Sequence, residues 1–109
     1  MSNTDTLENK VQLATLQWLR ANDYYCWRNA NLTLKVKGKY LTNPYNKAGL
    51  GDIMVVLPGG KHLEIEIKRT TGGRQSVDQA IHERRLNALG AYYLLANSLD
   101  EVKRFLSTI

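Results

Sequence analysis

The chain has 109 residues, 43% of them hydrophobic and 23% charged, with a formal net charge of +5 and a pI near 9.5. That length gives one domain with a real core and excludes a second, and no apolar run approaches a membrane span. The first residues carry no signal-peptide pattern, the single Cys26 excludes an internal disulfide, and a reducing cytosolic compartment follows as the default. The basic balance favours an anionic partner, nucleic acid ahead of membrane.

In chain order, Asp5-Thr6-Leu7-Glu8 has capping-box spacing. Leu7, Val11, Ala14 and Trp18 then recur at helical intervals, with Leu19 widening the stripe. A helix is predicted from about Asp5 to Ala21, ended by Asn22-Asp23. Tyr24 to Arg28 is aromatic and strand-like, and Leu32 to Val36 reads as a ragged strand, an exposed edge or an extended loop. Asn43 to Lys47 is a loop. Asp52–Leu57 and Lys61–Lys68 form a hairpin around Pro58-Gly59-Gly60, and Thr70 to Arg74 is a basic loop.

Ser76-Val77-Asp78-Gln79 is a second capping box. It opens a helix whose apolar residues are Val77, Ala80, Ile81, Leu86 and Leu89, with Gly90 suited to its end. Ala91–Ala96 is short and apolar enough for a buried strand. Ser98-Leu99-Asp100-Glu101 is a third capping box, before a final helix through Val102, Phe105 and Leu106. A helix between the Lys68 strand and the Ala91 strand implies a parallel pair, while the hairpin is antiparallel. The predicted fold is therefore α/β, a mixed sheet with helices packed on it.

Strand alternation puts Glu64, Glu66 and Lys68 on one face, and a hairpin brings Asp52 toward the far end of that row. Two carboxylates and an ammonium then converge. Mg²⁺ and Mn²⁺ take oxygen ligands, commonly one or two carboxylates with phosphate and water. Asp52 and Glu66 could supply them, and the carbonyl of Ile67 could add a third oxygen. Lys68 could orient water, stabilise phosphate charge or act as a base. The competing reading is a solvated strand face, whose Glu–Lys pair contributes only about 0–1 kcal/mol. Glu64, on the same face, competes for the second carboxylate role, and the E-x-K register favours Glu66.

Taken together, G-D-I-M-V-V-L-P-G-G, L-E-I-E-I-K-R and S-V-D-Q-A-I-H-E-R-R-L-N-A-L-G-A-Y-Y resemble the virus-type replication-repair nuclease (VRR-NUC) domain of the PD-(D/E)XK nuclease superfamily. The resemblance spans nearly the whole chain, most strongly Gly49 to Ser98, so residues 1–109 are read as one such domain. It implies a restriction-endonuclease-like α-β-β-β-α-β core, with the last helix an addition at the C-terminus. It implies phosphodiester hydrolysis with Mg²⁺ or Mn²⁺, Asp52 and Glu66 as metal ligands and Lys68 as the catalytic lysine. Gln79 matches a glutamine opening the second core helix, and Glu8 an acidic residue on the first. Small domains of this family resemble structure-selective endonucleases that cut branched DNA, such as a Holliday junction, as homodimers. The implied setting is the cytoplasm of a bacterial cell or phage-infected host. One position departs: Gly51 stands where the family often has proline, which would loosen the Asp52 backbone.

Helix capping explains Glu8 and Gln79 equally well, so both readings stay open. His62 and His82 lack a partner at metal-ligand spacing and read as structural. Cys26 reads as packing, and Tyr24, Tyr25, Trp27, Tyr92 and Tyr93 as core or dimer contacts. Lys35, Lys37, Lys39, Lys47, Arg69 and Arg74 are candidates for phosphate contact, of which Lys47, Arg69 and Arg74 are the DNA-binding set. A non-catalytic nucleic-acid-binding module on the same scaffold is the alternative function.

Overall fold

A helix, α1, occupies Asn3–Ala21 and is followed by strand β1 at Tyr25–Arg28. A small hairpin comes next, β2 at Leu34–Val36 and β3 at Lys39–Leu41. Strand β4 covers Ile53–Val56, a 3-10 turn Pro58–Gly60, and strand β5 His62–Ile67. Helix α2 at Val77–Ala88, strand β6 at Tyr92–Ala96 and helix α3 at Leu99–Ser107 complete the chain. This computed structural model describes residues 3–29, 34–41, 49–68 and 74–109.

Four strands form one sheet in the order β1-β4-β5-β6, with β5 and β6 parallel and the other pairs antiparallel. Helix α2 is the crossover that a parallel pair requires. The α-β-β-β-α-β order is therefore present, with α3 added after it and β2–β3 inserted as a separate two-stranded sheet.

The sheet has two chemically different faces because side chains alternate along each strand. Ile53, Val55, Leu63, Ile65 and Ile67 share one face and are buried. Leu16 and Leu19 of α1 and Val102 and Leu106 of α3 complete that core. Each such aliphatic side chain contributes about 1.5–3 kcal/mol on burial. The other face carries Met54, Glu64, Glu66 and Tyr93, and α2 lies over its β6 side. Among the described residues no helix is long and apolar enough to cross a membrane.

Three expectations change. Helix α1 starts at Asn3, so Asp5 lies inside the helix rather than at its cap. The ragged strand before Lys37 is half of a hairpin: Lys37 and Gly38 both have positive φ, 52° and 77°, which is the backbone of a two-residue turn. The apolar residues read for α2 do not form its inner face, and of them only Ala80 and Leu86 are partly buried. Val77, Ile81 and Leu89 are exposed, while Gln79 and His82 are buried. The reason is the polar sheet face beneath it, which polar helix side chains satisfy and apolar ones would leave unpaired.

Candidate metal and catalytic site

The antiparallel register pairs Ile53 with Ile65, so Asp52 falls opposite Glu66 just beyond the ladder. Two glycines make that approach possible. Gly49, at φ +86°, passes so close to α2 that an added Cβ would sit 2.5 Å from the Asp78 carbonyl oxygen. Gly51 would place a Cβ 3.0 Å from Glu64 Cβ and 3.1 Å from the Ile65 backbone. Gly49→Ala is expected to destabilise the chain by about 1–3 kcal/mol, from combined overpacking and left-handed strain, read as a lower urea midpoint.

The looseness expected at Gly51 is absent. Its N–H donates to Glu64 Oε1 at 2.9 Å, and its carbonyl accepts from Asn29 Nδ2 at 3.2 Å. The Asn29 N–H also donates to the Asp52 carbonyl at 2.8 Å. Asp52 itself accepts the Ile67 N–H on Oδ2 at 2.8 Å. In a strand, a residue's N–H and C=O point to the same side. The Ile67 carbonyl therefore faces the edge on which Asp52 lies.

Glu66 is only 6% exposed, which excludes the solvated-face reading of this strand. Its Oε1 lies 3.4 Å from Lys68 Nζ, and its Oε2 is buried with no hydrogen-bond partner among the described residues. Burial raises the Glu66 carboxyl, the nearby Asp52 charge raises it further, and Lys68 and Gln79 only partly oppose them, leaving it at about 7. Burial likewise raises Asp52, against the Ile67 N–H, Glu66 and Lys68, with Glu8 adding to the rise. Asp52 and Glu66 stand close enough to share a hydrogen bond when one is protonated.

Gln79 serves two purposes at once. It closes the capping box, accepting the Ser76 N–H on Oε1 at 2.9 Å while its own N–H donates to Ser76 Oγ at 3.1 Å. Its side chain also reaches Glu66. Glu8, half-buried on α1, is near enough to act on Asp52 through its charge. The fold thus gathers Asp52, Glu66, Ile67, Lys68 and Gln79 at one end of the sheet, with Glu8 beside them. Arg74 is exposed ahead of α2, and Lys37 is exposed at the β2–β3 turn. Lys47, Arg69 and the side chains of Lys35 and Lys39 lie outside the described residues.

Three neighbours, His62, His82 and Tyr93, were not legible as site residues, and they surround Glu64, which competed with Glu66 as a ligand. Glu64, 2% exposed, accepts from His62 Nε2 at 2.7 Å and from His82 Nε2 at 2.9 Å. Burial opposes its charge, but the Gly51 N–H and both imidazoles outweigh burial and hold it below the usual carboxylate range. Tyr93 packs edge-on against His82, and its buried hydroxyl lacks a hydrogen-bond partner. Burial and the Glu66, Glu64 and Asp52 charges push that hydroxyl up. The available signal was E-x-E on a strand otherwise apolar, which puts two carboxylates on one buried face.

Among the described residues no group of three or more His, Cys, Asp and Glu side chains is arranged to hold a metal. Two carboxylates and a backbone carbonyl, however, suit a hard cation that keeps part of its water shell. The unpartnered Glu66 Oε2 and the mutual repulsion of Asp52 and Glu66 are what a divalent cation would relieve. The residues present fit Mg²⁺ or Mn²⁺, which Asp52, Glu66 and the Ile67 carbonyl would hold.

No family model and no curated protein matches this sequence. Solved structures do. A "VRR_NUC domain" structure superposes with a TM-score of 0.66 at 20% identity, covering 93% of this chain and 95% of that one. The fold is that of a VRR_NUC domain. A second structure, a "VRR_NUC domain protein", gives a TM-score of 0.61 at 20% identity over 92% of this chain and 84% of its own. At that identity the likeness is one of fold, and the VRR_NUC scaffold is shared along nearly the whole chain.

Proposed function

We propose that this protein is a divalent-metal-dependent DNA endonuclease that hydrolyses phosphodiester bonds. The observation that carries the reading is half-buried Asp52 set against buried Glu66, beside Lys68. A carboxylate pushed to about 7 next to another carboxylate is costly in a strand that apolar residues would fill without penalty. Perturbed carboxylates held this way belong to functional sites more often than to structural ones. The shared VRR_NUC fold supports the same reading.

A bound Mg²⁺ or Mn²⁺ ion would supply charge neutralisation at the phosphate and a more acidic water. This chain's residues do the rest. The Ile67 N–H fixes one Asp52 oxygen and leaves the other for a ligand. Gln79, opening α2, lies near enough to Glu66 to favour its charged form, which relates the helix start to the β5 strand. Lys68, half-exposed beside Glu66, is placed to orient the attacking water or to bind a phosphate oxygen. The net charge of +5 suits a polyanionic substrate, with Arg74 among the phosphate contacts and Lys47 and Arg69 proposed alongside it.

Branched DNA is the proposed substrate and a homodimer the proposed form. Exposed Tyr25 and Trp27 on the sheet, and Val77, Ile81 and Leu89 on α2, offer apolar surface for self-association. Two sites related by a two-fold axis would address both strands of a junction. The test is cleavage of labelled four-way and linear DNA with Mg²⁺, Mn²⁺ or EDTA. Metal-dependent cutting, faster on the junction, is expected. Lys68→Ala is expected to lower kcat about a hundredfold with KM little changed. DNA binding without metal-dependent cutting on either substrate would leave a non-catalytic binding module in its place.

A further inference from the structure

Glu64 is a buried carboxylate that the proposed mechanism does not use. It links three parts of the fold. Its Oε1 accepts from the Gly51 N–H at 2.9 Å and from His82 Nε2 at 2.9 Å. Its Oε2 accepts from His62 Nε2 at 2.7 Å and again from His82 at 3.0 Å. A carboxylate only accepts, so each Nε2 carries the hydrogen in these bonds.

The two ends of this arrangement matter for the site. Gly51 directly precedes Asp52, and His82 follows Gln79 by one turn of α2. Helix α2 has few apolar anchors of its own: Val77 and Ile81 face outward, and only Ala80 and Leu86 are partly buried. Its buried side chains are Gln79 and His82, and both meet carboxylates of β5. A leucine at position 64 would fill the same space without a buried charge, so packing alone does not account for the residue.

We propose that Glu64 is a positioning residue: by holding the Gly51 N–H and His82 on one carboxylate, it fixes Asp52 and Gln79 in a common frame. The inference rests on the metal-site reading of Asp52 and Glu66. It also gives Gly51 a purpose, because a proline there would have no N–H to donate. Loss of the link frees the Gly51 backbone, and the Asp52 carboxylate then leaves the Ile67 N–H. The Ile67 amide hydrogen is thus a reporter of Asp52 placement that does not depend on activity.

The experiment is amide hydrogen exchange by NMR, with Mn²⁺ line broadening on the same samples. It compares wild type with His82→Leu, His82→Gln and Glu64→Gln. In His82→Leu the Ile67 amide is expected to exchange about tenfold faster, the loss of one charge-assisted hydrogen bond, while Leu63 and Ile65 keep their wild-type rates. Broadening around Asp52 and Glu66 then requires about tenfold more Mn²⁺. His82→Gln restores an N–H donor and is expected to recover most of both effects. Should His82→Leu fail to fold, Glu64→Gln serves instead, because its amide keeps one acceptor oxygen and gives the same changes in smaller measure. Ile67 exchange that rises only in step with Leu63 and Ile65 would show general destabilisation by the substitution and overturn the proposal. Wild type with no Mn²⁺ broadening near Asp52 and Glu66 would overturn the metal reading, and the inference with it. The exchange rates tell these two failures apart.

Discussion

Asp52→Asn is expected to lower metal-dependent DNA cleavage by on the order of a thousandfold or more, while leaving the fold and DNA binding intact. The substitution is chosen for its geometry. Asparagine keeps an oxygen that can accept the Ile67 N–H, so the β4–β5 end of the sheet retains its bond. What it removes is the negative charge that, with Glu66, would hold the cation. It also removes the charge that raises Glu66. The metal-free variant should therefore melt no lower than wild type. Cleavage rates on a labelled junction, a gel-shift titration in EDTA and a thermal melt check the three parts. A variant that loses cleavage only because it has lost its fold would not support the account, and the melt detects that case.

The second large effect concerns stability and pH. Glu66 titrates at about 7 in the folded chain against an ordinary 4.5. Below about 4.5 it is protonated folded or unfolded, and its full contribution to stability is present. As pH rises through about 7 the folded carboxyl must ionise beside Asp52, and that stability is lost. The full interval corresponds to about 3 kcal/mol, an upper value because Asp52 titrates with it. Metal-free wild type is expected to lose stability between pH 5.5 and 8, and Glu66→Gln to lose less. At pH 8 the variant should be the more stable chain. Mg²⁺ at pH 8 should restore wild type and leave Glu66→Gln nearly unchanged. Urea denaturation at the two pH values, with and without Mg²⁺, measures this, and parallel pH profiles for the two chains would contradict it.

Much of the frame was legible because local signals and order agreed. Gly-Asp before an apolar strand, a Pro-Gly-Gly turn and Glu-Ile-Lys ending the next strand read as a hairpin with Asp52 near the far end of the charged row, and the register sets Asp52 opposite Glu66. Ser76 and Gln79 announced a helix start through hydrogen bonds that the structure contains. Gln79 had two competing explanations, and the capping box and the reach toward Glu66 occur together.

What stayed hidden required knowledge of what faces what. The apolar residues of α2 do not tell which side of the helix meets the sheet, and a polar sheet face takes Gln79 and His82. Val77 and Leu89 are 76% and 83% exposed in consequence. His62 and His82 are far apart in sequence and have no diagnostic spacing, and only the crossover that lays α2 over the β6 side of the sheet brings His82 to the carboxylate that His62 also meets. The β2–β3 hairpin was missed because Lys37-Gly38 is a poor match to the Asn-Gly and Asp-Gly pairs that favour such turns. The value of Gly51 was invisible for a related reason: its partner Glu64 comes from the neighbouring strand.

The most direct test of the central claim is a crystal structure of the chain grown with Mn²⁺, read by anomalous scattering. The account places a peak within about 2.5 Å of oxygens from Asp52, Glu66 and the Ile67 carbonyl, and no such peak in Asp52→Asn. A wild-type crystal saturated with Mn²⁺ that shows no peak between those three residues, or shows its only peak elsewhere, would contradict it.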